Sequence, residues 1–137
     1  MPVTVTRSEA ETIELGRRIA GDLPRKAVVL LIGNLGAGKT TLAKGIVEGL
    51  GAGVGDEVAS PTFTLIHEYG GGRVYHIDLY RLEEEREVLT LGLDELFERE
   101  AVVLIEWGER FPRLLPEDRI EIRLEAGEDD TREIEIA

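Results

Sequence analysis

Two uninterrupted apolar runs organise the chain, Ala27–Ile32 (AVVLLI) and Ala101–Ile105 (AVVLI). Neither alternates, so each reads as a strand buried on both faces, as in a parallel sheet covered by helices. Between and around them the period changes. Ser8 with Glu11 three residues on forms a capping-box pattern, and Ala10, Ile13, Ala20 and Leu23 follow at helical spacing, which predicts a helix over about 8–23. From Lys39, the residues Leu42, Ala43, Ile46, Val47 and Leu50 mark a second helix, with Gly51 as its stop. A glycine-rich loop spans 51–55, and the alternating segments Phe63–Tyr69 and Arg73–Asp78 flank Gly70-Gly71-Gly72 as a hairpin. Residues 83–97 read as one or two short helices with acidic outer faces. Beyond Pro112 and Pro116, Arg119–Glu125 and Thr131–Ile136 alternate and predict a closing hairpin. Helices and buried strands interleave, which predicts a three-layer α/β fold with a mixed, partly antiparallel sheet. No repeat, linker or low-complexity tract interrupts the 137 residues, so one continuous domain over 1–137 is expected.

Composition narrows the chemistry. Cysteine is absent, which excludes disulfides and thiol or thiolate-metal sites, and two histidines are too few for a histidine-built zinc centre. No apolar run approaches the roughly 20 residues of a membrane helix, and no basic-then-apolar leader opens the sequence, so a cytoplasmic protein without membrane partners is expected. Sixteen basic against 28 acidic residues leave a net charge of −12, a surface that repels a phosphate backbone. Work on nucleic acid would therefore need a partner to hold the RNA or DNA. The chain has no Gln and a single Asn, and Arg outnumbers Lys 13 to 3. That pattern fits either a hot environment or codon bias.

Gly33-Asn34-Leu35-Gly36-Ala37-Gly38-Lys39-Thr40, followed by Thr41, matches G-x-x-x-x-G-K-[ST], the phosphate-binding P-loop. Its flanks are those the motif requires, a buried strand before it and an amphipathic helix after it. Glycines let successive N–H groups turn inward as an anion nest, and the helix N-terminus adds unpaired N–H groups. Lys39 brings positive charge to the β- and γ-phosphates, and the Thr40 hydroxyl is placed for Mg²⁺.

Such a loop needs an acid near the metal. Glu106 is the first candidate, because it emerges from a buried strand at the carboxyl end where open α/β sheets bind ligands. Asp78, at the end of its own strand, is the second. Trp107 follows Glu106 and is read as shaping the site. Ser60-Pro61-Thr62 sits where P-loop enzymes carry a hydroxyl that senses the γ-phosphate, and is equally readable as a plain turn. His67 and His76 alternate with apolar neighbours and are read as structural histidines facing the sheet.

GNLGAGKTTLAKGI, SPTFTLIHEY, YHIDLYRL and LIEWGER occur in order and at close spacing, and nearly the whole chain, from 12–16 to Arg132, resembles the bacterial TsaE (YjeE) family. The resemblance implies a slow Mg²⁺-dependent ATPase required for the N6-threonylcarbamoyladenosine of tRNA. It would act with TsaD and TsaB, which carry out the transfer to adenosine 37, and would meet tRNA only through them. Carried over by motif, Lys39 and Thr40 would hold phosphates and Mg²⁺, Glu106 would reach the metal, and Asp78 and Thr62 would support hydrolysis or its coupling to partners. Adenine contacts implied by the family fall on Glu9 and Thr131.

Two other classes share the P-loop. A small-molecule kinase usually needs a lid with several arginines, and Arg81 with its neighbours is thin provision. A nucleotide-dependent binding switch without turnover is the other, and its GTPase form is disfavoured because no N-K-x-D or D-x-x-G follows the loop.

Overall fold

The computed structural model describes residues 3–53 and 65–136. Seven strands form one sheet: β1 (Val3–Thr6), β2 (Ala27–Ile32), β3 (Ile66–Tyr69), β4 (Val74–Asp78), β5 (Val102–Glu106), β6 (Ile120–Ala126) and β7 (Arg132–Ile136). Their spatial order is β1-β7-β6-β2-β5-β4-β3. The central strands β6, β2, β5 and β4 run parallel, and both edges are antiparallel. The two apolar runs lie side by side in the middle, with Val28 opposite Val103 and Leu30 opposite Ile105.

Because both faces of β2 and β5 are apolar, both must be covered. Helices α1 (Glu9–Asp22) and α2 (Lys39–Gly49) cover one face, packing Leu15, Ile19, Leu42 and Ile46 on Val29, Leu31 and Leu104. Helices α3 (Glu85–Leu89) and α4 (Leu93–Glu98) and two short 3₁₀ turns cover the other, where Val88, Leu96 and Phe111 meet Leu30, Ile77 and Val103. The three-layer α/β architecture with a mixed sheet is thus the one expected.

Two local readings differ from the structure. The buried stripe of α1 is Thr12, Leu15, Gly16, Ile19 and Ala20, whereas Ala10 is exposed. Ala20 faces inward and Leu23 packs on the core as expected, while the centre of the stripe lies where α1 meets α2 at close range along Gly16, where a Cβ would lie 2.5 Å from the Leu42 carbonyl oxygen. Strand β1 was not anticipated. Residues 3–6 are β-branched and alternate, but with the sense reversed: the valines face outward at 52% and 40% exposure and only Thr6 is buried. Pairing with β7 and the 2.7 Å contact between the Thr6 and Thr12 hydroxyls hold it in place.

Candidate nucleotide site

The loop from β2 to α2 crosses the carboxyl edge of the parallel strands. Gly36 (φ 81°) and Gly38 (φ 98°) adopt left-handed backbone, which lets the chain coil back on itself before the helix begins. Gly33 is required for another reason: a Cβ there would lie 2.6 Å from the Leu124 carbonyl oxygen. Helix α2 then opens on Gly38 with no side-chain cap and no acidic residue in its first turn, so its leading N–H groups are uncommitted to any capping side chain. A cleft of about 470 Å³ lies in front of them, lined by Gly36, Gly38, Lys39, Thr40 and Thr41 on the loop side. Asp78, Tyr80, Glu106 and Trp107 line it from the ends of β4 and β5, and Arg132 from β7.

Lys39 is 5% exposed and donates to the Gly33 carbonyl at 2.7 Å, with Nζ 3.5 Å from the centre of the Trp107 ring. Burial pushes its pKa below the ordinary lysine value, while Glu106, Glu109 and Asp78 pull it back up. Glu106 is 4% exposed, and its Oε2 accepts from the Thr40 hydroxyl at 3.1 Å. In the parallel pairing of β4 and β5, Asp78 stands opposite Glu106, so the two carboxylates sit at adjacent strand ends. Asp78 Oδ1 accepts the backbone N–H of Tyr80 at 2.9 Å, which turns the chain at the cleft wall. Trp107 takes left-handed backbone (φ 66°) just past β5, which aims its ring at Lys39. Tyr80 packs against that ring at 5.1 Å and the Arg110 guanidinium lies 4.8 Å from its centre.

Thr40 and Glu106 supply hard oxygen donors at one place beside the uncapped N-terminus of α2. Among the described residues no cluster of three His, Asp or Glu side chains forms a metal cage, so a cation here would need oxygens from its ligand. That is how Mg²⁺ is ordinarily held, by one or two carboxylates plus substrate phosphates, and the donor set fits it.

A family model described as "Threonylcarbamoyl adenosine biosynthesis protein TsaE" matches residues 6–134. The chain belongs to the TsaE family. It is 44% identical over 131 residues to a tRNA threonylcarbamoyladenosine biosynthesis protein TsaE of Bacillus subtilis, covering 94% of this chain and 80% of that one. The TsaE of Treponema pallidum is 40% identical over 134 residues, 97% of this chain and 98% of its own. A crystal structure of YdiB from Bacillus subtilis superposes with a TM-score of 0.77 at 36% identity, covering 97% of this chain and 82% of that one.

In this TsaE chain the expected site residues are distributed unevenly. Leu35, Gly36, Gly38, Lys39, Thr40, Thr41, Asp78 and Glu106 share the cleft. Ala37 is buried behind it, and Asn34 stands on the outer side of the loop, where its carbonyl accepts the Ala37 N–H. Glu9 lines a smaller cavity of about 90 Å³ that borders the cleft through Gly38, Thr41 and Arg132. Thr131 does not line it; its backbone closes the β6–β7 turn with Gly127 and Glu128, between Asp130 and Arg132, which do line it. Ser60 and Thr62 lie outside the described residues.

Two residues escaped the sequence reading. Arg132 reaches the cleft from the far hairpin, with no motif to announce it. His76, read as a structural histidine facing the sheet, is fully buried as that reading expects, and what the sequence did not show is its contact, with Nε2 2.5 Å from Glu106 Oε2. No signal in the sequence marks that contact, which depends on the pairing of β4 with β5.

Proposed function

We propose that this chain is a Mg²⁺-dependent ATPase subunit, cytoplasmic, that acts with TsaD and TsaB in forming N6-threonylcarbamoyladenosine at adenosine 37 of tRNA. The observation that carries the ATPase reading is the meeting of Thr40 and Glu106 at 3.1 Å beside the P-loop lysine, at the open end of α2. The tRNA pathway follows from the family. In this reading the loop N–H groups and Lys39 bind the phosphates, Thr40 and Glu106 hold the cation, and Asp78 orders the wall from which water approaches. Bound there, Mg²⁺ supplies charge neutralisation on the β- and γ-phosphates. The chain transfers no threonylcarbamoyl group itself, and tRNA is held by the partners.

Release of inorganic phosphate from ATP, measured with Mg²⁺ in the presence and absence of TsaD and TsaB, tests the proposal. Partner-dependent hydrolysis that disappears in Lys39→Ala is expected. Hydrolysis at the wild-type rate in Lys39→Ala would refute the site assignment, and transfer of phosphate to a metabolite in place of water would make the protein a kinase.

A further inference from the structure

We infer that His76 is a positioning residue for Glu106: it holds one carboxylate oxygen in place so that the other is presented to a cation, and so sets how strongly Mg²⁺ supports nucleotide binding. The inference rests on the reading of Thr40 and Glu106 as the oxygen donors to Mg²⁺.

His76 lies on β4 between Val74 and Asp78 on the face covered by α2, and its register neighbour on β5 is Leu104. Val74 and Leu104 on that face are wholly apolar and buried. An aliphatic side chain at position 76 would continue that surface without polar cost. The imidazole instead buries two nitrogens, and Nδ1 has no hydrogen-bond partner among the described residues. Leaving a polar atom unmet in the core is unfavourable, so whatever the ring contributes must come through Nε2. That nitrogen lies 2.5 Å from Glu106 Oε2, a diagonal contact from β4 to β5. In the role proposed, Glu106 holds the cation as an ionised carboxylate, which only accepts, and Nε2 carries the hydrogen and donates it.

The contact matters because of where Glu106 sits. The residue is 4% exposed, so bulk water does little to orient it. The Thr40 hydroxyl spans both carboxylate oxygens, at 3.1 Å from Oε2 and 3.5 Å from Oε1, and alone would leave the group free to swivel about its last torsion. His76 fixes Oε2 and thereby Oε1, the oxygen it leaves to a ligand. Mg²⁺ tolerates little departure from octahedral geometry, so a carboxylate free to turn binds it less well. Groups that hydrogen-bond a metal's ligands typically contribute about 10–100-fold to metal affinity.

The test uses ADP, which is not hydrolysed, and reads the ratio of its Kd in chelator to its Kd in Mg²⁺. His76→Gln places an amide N–H near the position of Nε2, whereas the shorter His76→Asn reaches only as far as Nδ1. We expect His76→Asn to cut the Mg²⁺ ratio about tenfold or more while ADP affinity in chelator stays at the wild-type value, and His76→Gln to recover it to within about threefold. A wild-type ratio in His76→Asn, or equal losses in both variants, would overturn the inference. Glu106→Gln separates the two levels. A wild type without any Mg²⁺ enhancement, or enhancement that survives Glu106→Gln, removes the cation site itself. Enhancement that depends on Glu106 and not on position 76 removes only the role of His76. Should neither variant fold, long-range ¹H–¹⁵N spectra of the wild-type protein decide: the Nε2–H tautomer at His76 supports the inference and the Nδ1–H tautomer overturns it.

Discussion

Replacing Gly45 with alanine adds one methyl group to α2 at the point where it crosses α1. A Cβ there would lie 2.0 Å from the Ile13 carbonyl oxygen and 3.0 Å from the Gly16 Cα, contacts that real Cβ atoms do not make below 3.0 Å. The obstacle is backbone and cannot swing aside, so the helices must part by about 1 Å. A gap of that size forfeits about a quarter to a half of the dispersion attraction between facing atoms. Leu15, Ile19, Leu42 and Ile46 meet across this seam. At about 1.5–3 kcal/mol for each buried aliphatic side chain, losing a quarter of four such contributions costs about 1.5–3 kcal/mol. Alanine returns up to about 1 kcal/mol through its better helix propensity. The net destabilisation is about 0.5–2 kcal/mol, and for a domain of this length each kcal/mol moves Tm by about 3–5 °C. Thermal unfolding followed by circular dichroism should therefore show Tm lower by about 2–10 °C. Gly21→Ala is the matched control: Gly21 also lies in a helix, but a Cβ there meets nothing within 4 Å. It should raise stability by about 0.5 kcal/mol through propensity alone. If Gly45→Ala melts at or above the wild type, or if Gly21→Ala falls with it, the close helix crossing is not what limits this seam.

Three further outcomes follow from the site and the surface. Burial lowers the pKa of Lys39 from its ordinary 10.5, so the unfolded chain binds that proton more tightly and stability rises with pH through the interval below 10.5; denaturant midpoints of the wild type minus those of Lys39→Met should drift in favour of the wild type across that interval, and a difference that stays flat refutes the assignment. Glu106→Gln should keep a native circular dichroism spectrum and lose Mg²⁺-dependent ATP hydrolysis by about 10²-fold or more, since positioning and charge neutralisation dominate phosphoryl transfer; normal hydrolysis there together with loss in Asp78→Asn would exchange the roles of the two carboxylates. With a net charge of −12, the isolated protein should bind tRNA negligibly at physiological salt in a filter-binding titration, and tight, salt-sensitive binding would reveal a basic face.

What the sequence determined by itself is whatever depends on neighbours along the chain. The apolar runs at 27–32 and 101–105 are short, unbroken and rich in β-branched residues, as strands buried on both faces are, so the layered α/β class was legible from run length and composition. The P-loop was legible for the same reason, because its glycines, lysine and threonine act through local backbone geometry within eight consecutive residues. That Glu106 and Asp78 line the cleft was legible because each ends a strand, and strand ends mark the ligand edge of a parallel sheet. Tertiary structure alone decided what depends on residues brought together from afar. The stripe of α1 that faces inward is chosen by Gly16 and Gly45, where two helix backbones meet across 29 residues of sequence. Strand β1 is held because β7 offers it an edge; the β-branched alternation Val-Thr-Val-Thr permits a strand there, but its partner is named only by the fold. Arg132 enters the cleft from the opposite end of the chain. His76 looks, in sequence, like any polar residue interrupting an apolar strand. Only the parallel pairing of β4 with β5 brings its Nε2 to Glu106, 30 residues away, because a hydrogen bond depends on distance in space and the sequence records only order.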